Sequence, residues 1–240
     1  MQVGPRILIS VSAAAVLFGI VGGAGAQSRP EGQSVSLTRR DAERIIRQAQ
    51  ESAARTASAP GLRSNDDPAK GPVVQRPVKM VVAVVDREGK LIALDKAPDA
   101  WVGSEDIAIA KARTAAFFSS NENALTSRII GELSQPATGE EGKAGPLWGI
   151  WASNQTGITG GKELHNGLIT FPGGVPLYKN GKLVGGIGVS GDGVDQDEAV
   201  AFAGAAGFEP GPDTVKLGMA APQVATLDND RQTTVAAADR

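Results

Sequence analysis

A single histidine, and a lysine inside an apolar stretch, are the residues of this chain best suited to chemistry. His165 is the only histidine and lies in a Gly- and Asn-containing stretch typical of a turn. Its imidazole could ligate iron or act as a general base, although a lone loop histidine is most often a surface residue. One histidine excludes a multi-histidine metal site within the chain. The absence of cysteine excludes disulfides, thiolate catalysis and zinc–thiolate sites.

Lys111 and Thr114 stand out because their surroundings are apolar. Residues 107–118 have helical spacing and contain only three polar side chains, Lys111, Arg113 and Thr114. A helix packed on one side of a monomer should show a polar face. We therefore expect another subunit or a bound apolar ligand to cover the second side, with Lys111 and Thr114 as candidate ligand contacts. Alternatively, the lysine reaches solvent and the threonine bonds to the carbonyl one turn earlier.

Three glycines, Gly185, Gly186 and Gly188, interrupt a predicted strand over residues 183–189. Interior glycines weaken a strand unless something approaches its backbone closely, and here that could be a ligand or a packed helix. Residues 186–191 also match G-x-G-x-x-G. The second parallel strand with its acidic residue, which a dinucleotide site needs, is missing. The pattern does not favour a dinucleotide site, and the three glycines remain candidate ligand contacts.

Four helices are predicted from apolar residues at helical spacing, over residues 38–53, 104–119, 125–133 and 195–207. Thr38 and Ser104 are the expected N-caps of the first two helices. Asp195 and Glu198 have the spacing of a capping box at the start of the last helix, so their acidity needs no metal.

Five strands are predicted, over residues 80–85, 90–95, 168–171, 175–178 and 183–189. Asn180-Gly181 between the last two is a strong hairpin signal. The first run is continuously apolar, which predicts a strand covered on both faces.

Loops are expected at 56–77 and 134–146, and an extended or disordered tail at 209–240. Helices separated by hairpins predict an α+β fold with an antiparallel sheet.

The N-terminal residues predict export. Arg6 precedes an apolar run over residues 7–21, and Ala24 and Ala26 match a signal-peptidase site, so residues 1–26 should be removed before Gln27. The alternative, an uncleaved anchor, would need an apolar run of roughly 20 residues. We expect a periplasmic or secreted protein with a flexible start (27–36) and no stable membrane insertion.

A net charge of −2 without a basic stripe predicts no nucleic-acid partner.

Two stretches together resemble the GlcG/HbpS family, also known as DUF336 or the PduO-C-like haem-binding domain. The first is VVDREGKL at 84–91 with AKARTA at 110–115. The second is GGVPL at 173–177 with GGIGVSG at 185–191 and then Asp197-Glu198. The resemblance covers about residues 37–207. It implies one α+β domain (37–208), an antiparallel sheet of about five strands flanked by helices, haem as the cofactor, and a homo-oligomer, which is an octamer in secreted haem-binding relatives.

Three functions remain open from the sequence. The resemblance implies an exported haem- or tetrapyrrole-binding protein in haem or iron handling or redox sensing. Its candidate contacts are Lys111, Thr114, His165 and Tyr178, beside the glycine strand. The second function is an enzyme acting on an organic acid or carbonyl compound, with Lys111 or His165 as the base and strand amides binding the anion. The third is an oligomeric assembly module without chemistry. The residues favour a binding protein over an enzyme.

Overall fold

The computed structural model describes residues 35–63, 67–72, 74–135, 145–147, 149–150 and 167–227. The predicted signal peptide, the predicted cleavage site and His165 lie outside these residues. Export and a role for His165 therefore stay predictions. The described residues all belong to one compact unit, Val35–Arg240. None of their helices is long and apolar enough to cross a membrane.

Two hairpins form an antiparallel four-stranded sheet. Its strands are β1 (Val81–Asp86), β2 (Leu91–Lys96), β4 (Gly174–Lys179) and β5 (Lys182–Ser190), and they lie side by side in the order β2-β1-β5-β4. Between β4 and β5, Asn180 and Gly181 have φ angles of 52° and 71°. Both are left-handed, as a two-residue hairpin turn of this type requires. The predicted α+β class, the antiparallel sheet and the Asn-Gly hairpin are confirmed.

Residues 168–171, predicted as a strand, do not join this sheet, which therefore has four strands in the described part of the chain. Their backbone groups are bonded to a helix side chain instead. The Ile169 amide donates to Thr114 Oγ1 at 3.0 Å, and the Ile169 carbonyl oxygen lies 2.8 Å from the same hydroxyl. Because Thr114 contacts both backbone groups of Ile169, this residue makes no ladder hydrogen bonds to a strand of the sheet.

The four helices are α1 (Arg39–Ala53), α2 (Ser104–Phe118), α3 (Ser127–Leu133) and α4 (Val194–Gly204). The predicted cap of α1 is confirmed as a complete capping box between Thr38 and Asp41. Two other predicted caps are wrong. Ser104 is the first helical residue of α2 and follows Gly103 as N-cap, and Gly193 is the N-cap of α4.

The sheet is covered on both faces. Val82, Val84 and other residues of one face pack in the main core with α1 and α4. Val81, Ala83 and Val85 point to the opposite face, against Ala108, Ala112 and Ala116 of α2. This arrangement confirms the prediction that the first strand is buried on both faces, and it explains why that strand lacks alternation between apolar and polar residues.

The described part of the predicted C-terminal tail is extended but packs against the rest of the fold. A three-residue strand, β6 (Val215–Leu217), pairs in parallel with β3 (Asn123–Leu125). Further along, the Leu227 amide donates to the Arg55 carbonyl at 2.7 Å, beside a bridge between Thr56 and Thr226. The packed part of the chain therefore continues beyond residue 208.

Candidate functional site

Lys111 is buried in an ion pair. Its Nζ lies 2.7 Å from Asp197 Oδ2 and donates to the Val189 carbonyl at 2.9 Å. The two side chains are only 1% and 3% exposed. Burial raises the pKa of Asp197, while Lys111 and the Asp192 amide oppose that shift. Lys111 therefore does not reach solvent, so that alternative is wrong, and its role as a ligand contact stays a prediction.

The ion pair continues into a network that joins the end of β5 to a loop. Asp197 Oδ1 accepts the Asp192 amide at 3.1 Å. Asp192 in turn accepts the Ser58 hydroxyl at 2.6 Å and the Ala59 amide at 2.7 Å, with the Arg63 Nε 3.9 Å away. These contacts fix the loop at 58–63 to the start of α4. In the part of the chain that the structure describes, no three His, Cys, Asp or Glu side chains cluster as a metal site would require.

Thr114 and Tyr178 also have structural partners. Thr114 Oγ1 lies 2.9 Å from the Ala110 carbonyl oxygen and 2.8 Å from that of Ile169, so its one proton is shared between the preceding turn, as predicted, and the segment at 168–171. Tyr178 is 1% exposed, and its hydroxyl donates to the Ser120 carbonyl at 2.7 Å. Burial raises the pKa of Tyr178 to about 12. Because both hydroxyls are bonded and enclosed, the structure does not bring these two candidates to a common ligand cavity.

The glycine strand is occupied by helix α2. A Cβ on Gly186 would overlap the Ala112 carbonyl oxygen, and one on Gly188 would overlap the Ala108 carbonyl oxygen. Gly185 faces the neighbouring strand, where a Cβ would overlap the Val85 carbonyl oxygen. The packed-helix alternative is therefore correct for Gly186 and Gly188. Protein backbone fills the space beside all three glycines, and their role as ligand contacts stays a prediction.

The second side of α2 is covered within the chain. Every residue from Ala108 to Ala116 is buried in a single copy. The Arg113 Nε donates to the Gly89 carbonyl at 2.8 Å, so even this charged side chain has an internal partner. The apolar character of α2 therefore requires neither a second subunit nor a bound ligand, and that expectation is corrected.

The two acidic residues predicted to cap α4 instead bind α3. Arg128 Nε lies 2.6 Å from Glu198 Oε2, and its Nη2 lies 2.5 Å from Asp195 Oδ1. Burial raises the pKa of Glu198, and the Arg128 guanidinium opposes that shift. The Glu198–Arg128–Asp195 contacts therefore fix α3 beside the first turns of α4.

A cleft opens where β4, α4 and the C-terminal segment meet, and we call it the C-terminal cleft. It has a volume of about 190 Å³ and is lined by Val175, Pro176, Phe202, Ala205, Phe208, Glu209, Pro210, Lys216 and Met219. One hydrogen bond, from the Tyr178 amide to the Phe208 carbonyl at 2.8 Å, fixes the segment beside β4. Most of the lining is apolar, and its two charged residues are exposed.

The sequence pattern of the family described as "Haem degrading protein HbpS-like" matches residues 69–206. This chain belongs to the HbpS-like family. The match covers more than half of the chain and confirms the resemblance found in the sequence. It includes the whole four-stranded sheet and helices α2, α3 and α4. Of the cleft, only Val175, Pro176, Phe202 and Ala205 lie within the HbpS-like match, because the residues from Phe208 to Met219 follow it.

This chain is similar to several known proteins. An uncharacterized 15.0 kDa protein from the dhaT-dhaS intergenic region of Citrobacter freundii is 32% identical over 124 residues, which span 52% of this chain and 72% of that protein. The corrinoid adenosyltransferase PduO of the same organism is 32% identical over 124 residues, or 30% of its length. Among solved structures, the PduOC:haem complex is 25% identical, with a TM-score of 0.49 and coverage of 74% of this chain and 98% of that chain. A double mutant of HbpS from Streptomyces reticuli is 24% identical, with a TM-score of 0.45 and coverage of 79% and 97%.

The C-terminal cleft could not be found from the sequence. One wall is formed by Phe208 to Met219, whose residues have no regular apolar spacing. The sequence indicates only where helix α4 ends, and not that the chain after it lines a cleft. Gly207, with a φ of 84°, lets the chain reverse after α4, and Pro210 and Pro212 prevent the helix from continuing.

Proposed function

We propose that this chain binds haem or a related tetrapyrrole in the C-terminal cleft. The observation that carries the proposal is the chemistry of the lining, in which seven apolar residues meet one exposed cation, Lys216, and one exposed carboxylate, Glu209. Haem is a flat, largely apolar ring with two carboxylate arms, so apolar walls suit the ring and an ammonium suits a carboxylate. The description of the family, which names haem, supports the same ligand.

The size of the cleft limits how haem would sit. A site that encloses a drug-sized ligand has about 300–1,000 Å³, whereas this cleft has about 190 Å³. We therefore propose that one edge of the ring lies against the apolar lining beside Phe202, and that the propionates stay at the surface near Lys216. Bound haem iron would supply electron-transfer or oxygen chemistry. The protein would hold the ring and exclude water from its inner edge.

The enzyme alternative with Lys111 as the base has no support in this arrangement. A general base needs an unprotonated atom within reach of a substrate, whereas Lys111 Nζ is enclosed and bonded to Asp197 and Val189. His165 remains a candidate from the sequence alone. Binding is therefore the better-supported function.

Haemin titration of the protein lacking residues 1–26 tests the proposal. We expect a saturable change in the Soret absorption. Lys216→Glu should weaken binding about fivefold, the order expected for one exposed ion pair. Lys96→Glu is the matched control, because Lys96 is also exposed but lies on the edge strand β2. A titration without saturation, or equal affinity for both variants, would contradict haem binding in this cleft.

We further propose that the protein is exported and acts in the periplasm or outside the cell. The support is the signal-peptide pattern of residues 1–26. Expression of the full chain in a bacterium should yield a secreted or periplasmic protein whose mass begins at Gln27. Ala26→Leu should block this processing, whereas Ala14→Leu, inside the apolar run, should leave it intact. Full-length protein in the membrane fraction would argue for an anchor.

We also propose that the protein forms a homo-oligomer. Trp101 and Val102, in the loop before α2, are 45% and 90% exposed. Adjacent exposed apolar residues are typical of surfaces that bind another protein. Light scattering on the purified protein would give the number of copies, including the octamer that the family resemblance implies.

A further inference from the structure

The two edges of the four-stranded sheet are formed by β2 and β4, and their outward backbone groups are bonded differently. In an antiparallel ladder, alternate residues of a strand direct both N–H and C=O away from the neighbouring strand. An edge strand whose outward groups are free is a template for pairing with another chain.

The β4 edge is closed to such pairing. The Val189 amide donates to the Gly173 carbonyl, so the residue just before β4 faces β5, and the outward residues are 174, 176 and 178. The Gly174 amide donates to Ser127 Oγ at 2.8 Å, and the Tyr178 amide donates to the Phe208 carbonyl at 2.8 Å. The residue between them is a proline, which has no N–H to donate.

The β2 edge is open. The Ala97 amide donates to the Met80 carbonyl at 3.0 Å, so the residue just after β2 faces β1. By alternation, Leu94 and Lys96 direct their N–H and C=O groups outward. In the part of the chain that the structure describes, no strand or side chain bonds these groups. The strand contains no proline, and its one irregularity lies at its start, beside Leu91.

We infer that β2 pairs with β2 of a second copy of this chain, antiparallel and centred on Leu94. The inference deepens the proposed homo-oligomer and rests on it. A two-fold axis at Leu94, perpendicular to the sheet, places this residue opposite Leu94 of the partner subunit. The outward N–H and C=O of the two leucines then bond to each other, and the sheets of both copies become continuous.

The side chain at the centre of the pair suits this contact. Leu94 packs on the α2 side of the sheet, against the cluster that contains Ile109, and is only partly buried. Directly opposite apolar side chains stabilise neighbouring strands. Ala100 packs against the same cluster, and Trp101 and Val102 follow it along the chain. The β2 edge therefore continues into the exposed loop that we propose for assembly.

The charges flanking β2 are complementary to themselves. Lys90 lies four residues before Leu94 and Asp99 lies five residues after it, and both flanking residues are exposed. Antiparallel pairing brings the start of β2 in one copy to its end in the other, so each Lys90 lies near the partner's Asp99. The two copies of Lys96 would be about 13 Å apart or more, beyond the screening length of about 8 Å. This complementarity favours a second copy over a peptide of another protein.

Leu94→Lys and Leu94→Asp test the contact at the axis. In each variant alone, like charges about 5 Å apart replace an apolar contact, which should weaken association about tenfold or more. A mixture of the two variants should recover the mass of the wild-type assembly, because opposite charges then meet. Light scattering over a concentration series measures all three samples, and circular dichroism checks that each variant is folded.

Val215→Lys is the matched control. It places the same charge at a 53% exposed apolar position of β6 and should leave the mass of the assembly unchanged.

Hydrogen exchange on the wild type gives a second measurement that needs no substitution at the axis. The Lys96 amide should be protected in the assembled protein, because it bonds to the partner strand, and this protection should be lost in Leu94→Asp.

The outcomes separate the pairing of β2 from the proposed oligomer. If wild type is oligomeric but the mixture associates no better than each variant alone, or if the Lys96 amide exchanges freely in the oligomer, the pairing is overturned and the oligomer stands. If wild type is monomeric, both are overturned.

Discussion

Lys111 and Asp197 are charged groups that the fold holds away from water. Three hydrogen bonds compensate for the lost hydration: two from Lys111 Nζ, to Asp197 and to the Val189 carbonyl, and one from the Asp192 amide to Asp197. Removing one member of such a pair leaves a buried charge without a partner, whereas replacing both members by apolar residues is often nearly neutral. Each side chain of the pair is therefore needed to compensate for the buried charge of the other.

Lys111→Met should lower the free energy of unfolding by about 3–5 kcal/mol, because it leaves Asp197 buried without its cation. The double variant Lys111→Met with Asp197→Leu should recover a large part of this loss. Urea denaturation of wild type, both single variants and the double variant measures the coupling. Additive losses in the double variant would show that the two side chains do not act as a pair.

Asp41 should make stability depend on acid pH. Burial would raise its pKa, but hydrogen bonds from Lys179 Nζ at 2.8 Å and from Thr38 outweigh this and lower the pKa from 3.8 to about 2. A lowered carboxyl pKa stabilises the folded state above the unfolded value, and the gain is lost as pH falls through the folded value. Wild type should therefore lose this contribution between about pH 4 and 2.

Asp41→Asn should remove that part of the pH dependence. We expect its unfolding free energy to fall less steeply than that of wild type over the same interval. Glu51→Gln, which changes an exposed carboxylate of the same helix, is the matched control. Parallel curves for Asp41→Asn and wild type would contradict the role of Asp41.

At the scale of elements, helix α2 lies unusually close to the sheet because glycines face it. A Cβ on Gly174, Gly186 or Gly188 would overlap backbone oxygen atoms of α2. At these three glycines the sheet presents bare backbone to the helix, whereas Val81, Ala83 and Val85 of β1 pack against it with side chains. Close packing of this kind leaves no room for a side chain or a ligand between the two elements.

Gly188→Ala should destabilise the protein by about 3 kcal/mol or more, because its Cβ would overlap the Ala108 carbonyl and α2 must move. Gly103→Ala is the matched control. It lies at the N-terminus of the same helix, where a Cβ meets nothing within 4 Å, and should cost less than about 1 kcal/mol. Thermal unfolding of the two variants checks this, and equal melting temperatures would contradict the close packing.

Local features were predictable from the sequence, and distant contacts were not. The Thr38 capping box and the Asn180-Gly181 turn depend on neighbouring residues, and both are confirmed. The Lys111–Asp197 bond joins residues 86 positions apart, so spacing along the chain carries no sign of it. The strand expected at 168–171 is absent because Thr114, from another element, takes its backbone bonds. The C-terminal cleft was missed for the same reason, since its walls come from separate segments.

At the scale of the whole molecule, the segments flanking the HbpS-like match are tied to it and to each other. Helix α1 precedes the match and packs with α4, and residues 207–227 follow it. The two flanking segments meet where Leu227 binds Arg55. These additions close one face of the sheet and create the C-terminal cleft. Since residues 108–116 of α2 are already covered within one chain, we expect assembly to use another surface.

The exposed loop before α2 is the surface we expect to mediate assembly. Trp101 and Val102 project there, and the Arg63 guanidinium stacks 5.5 Å from the Trp101 ring. Replacing both Trp101 and Val102 by serine should shift an oligomeric wild type toward monomer in multi-angle light scattering, because the apolar contact is lost. Val215→Ser, which removes a 53% exposed residue from β6, should leave the mass unchanged. Since neither change touches the buried core, the unfolding temperature of each isolated variant should stay close to that of the dissociated wild type. An unchanged mass for the double variant would place the interface elsewhere, and a monomeric wild type would contradict the oligomer itself.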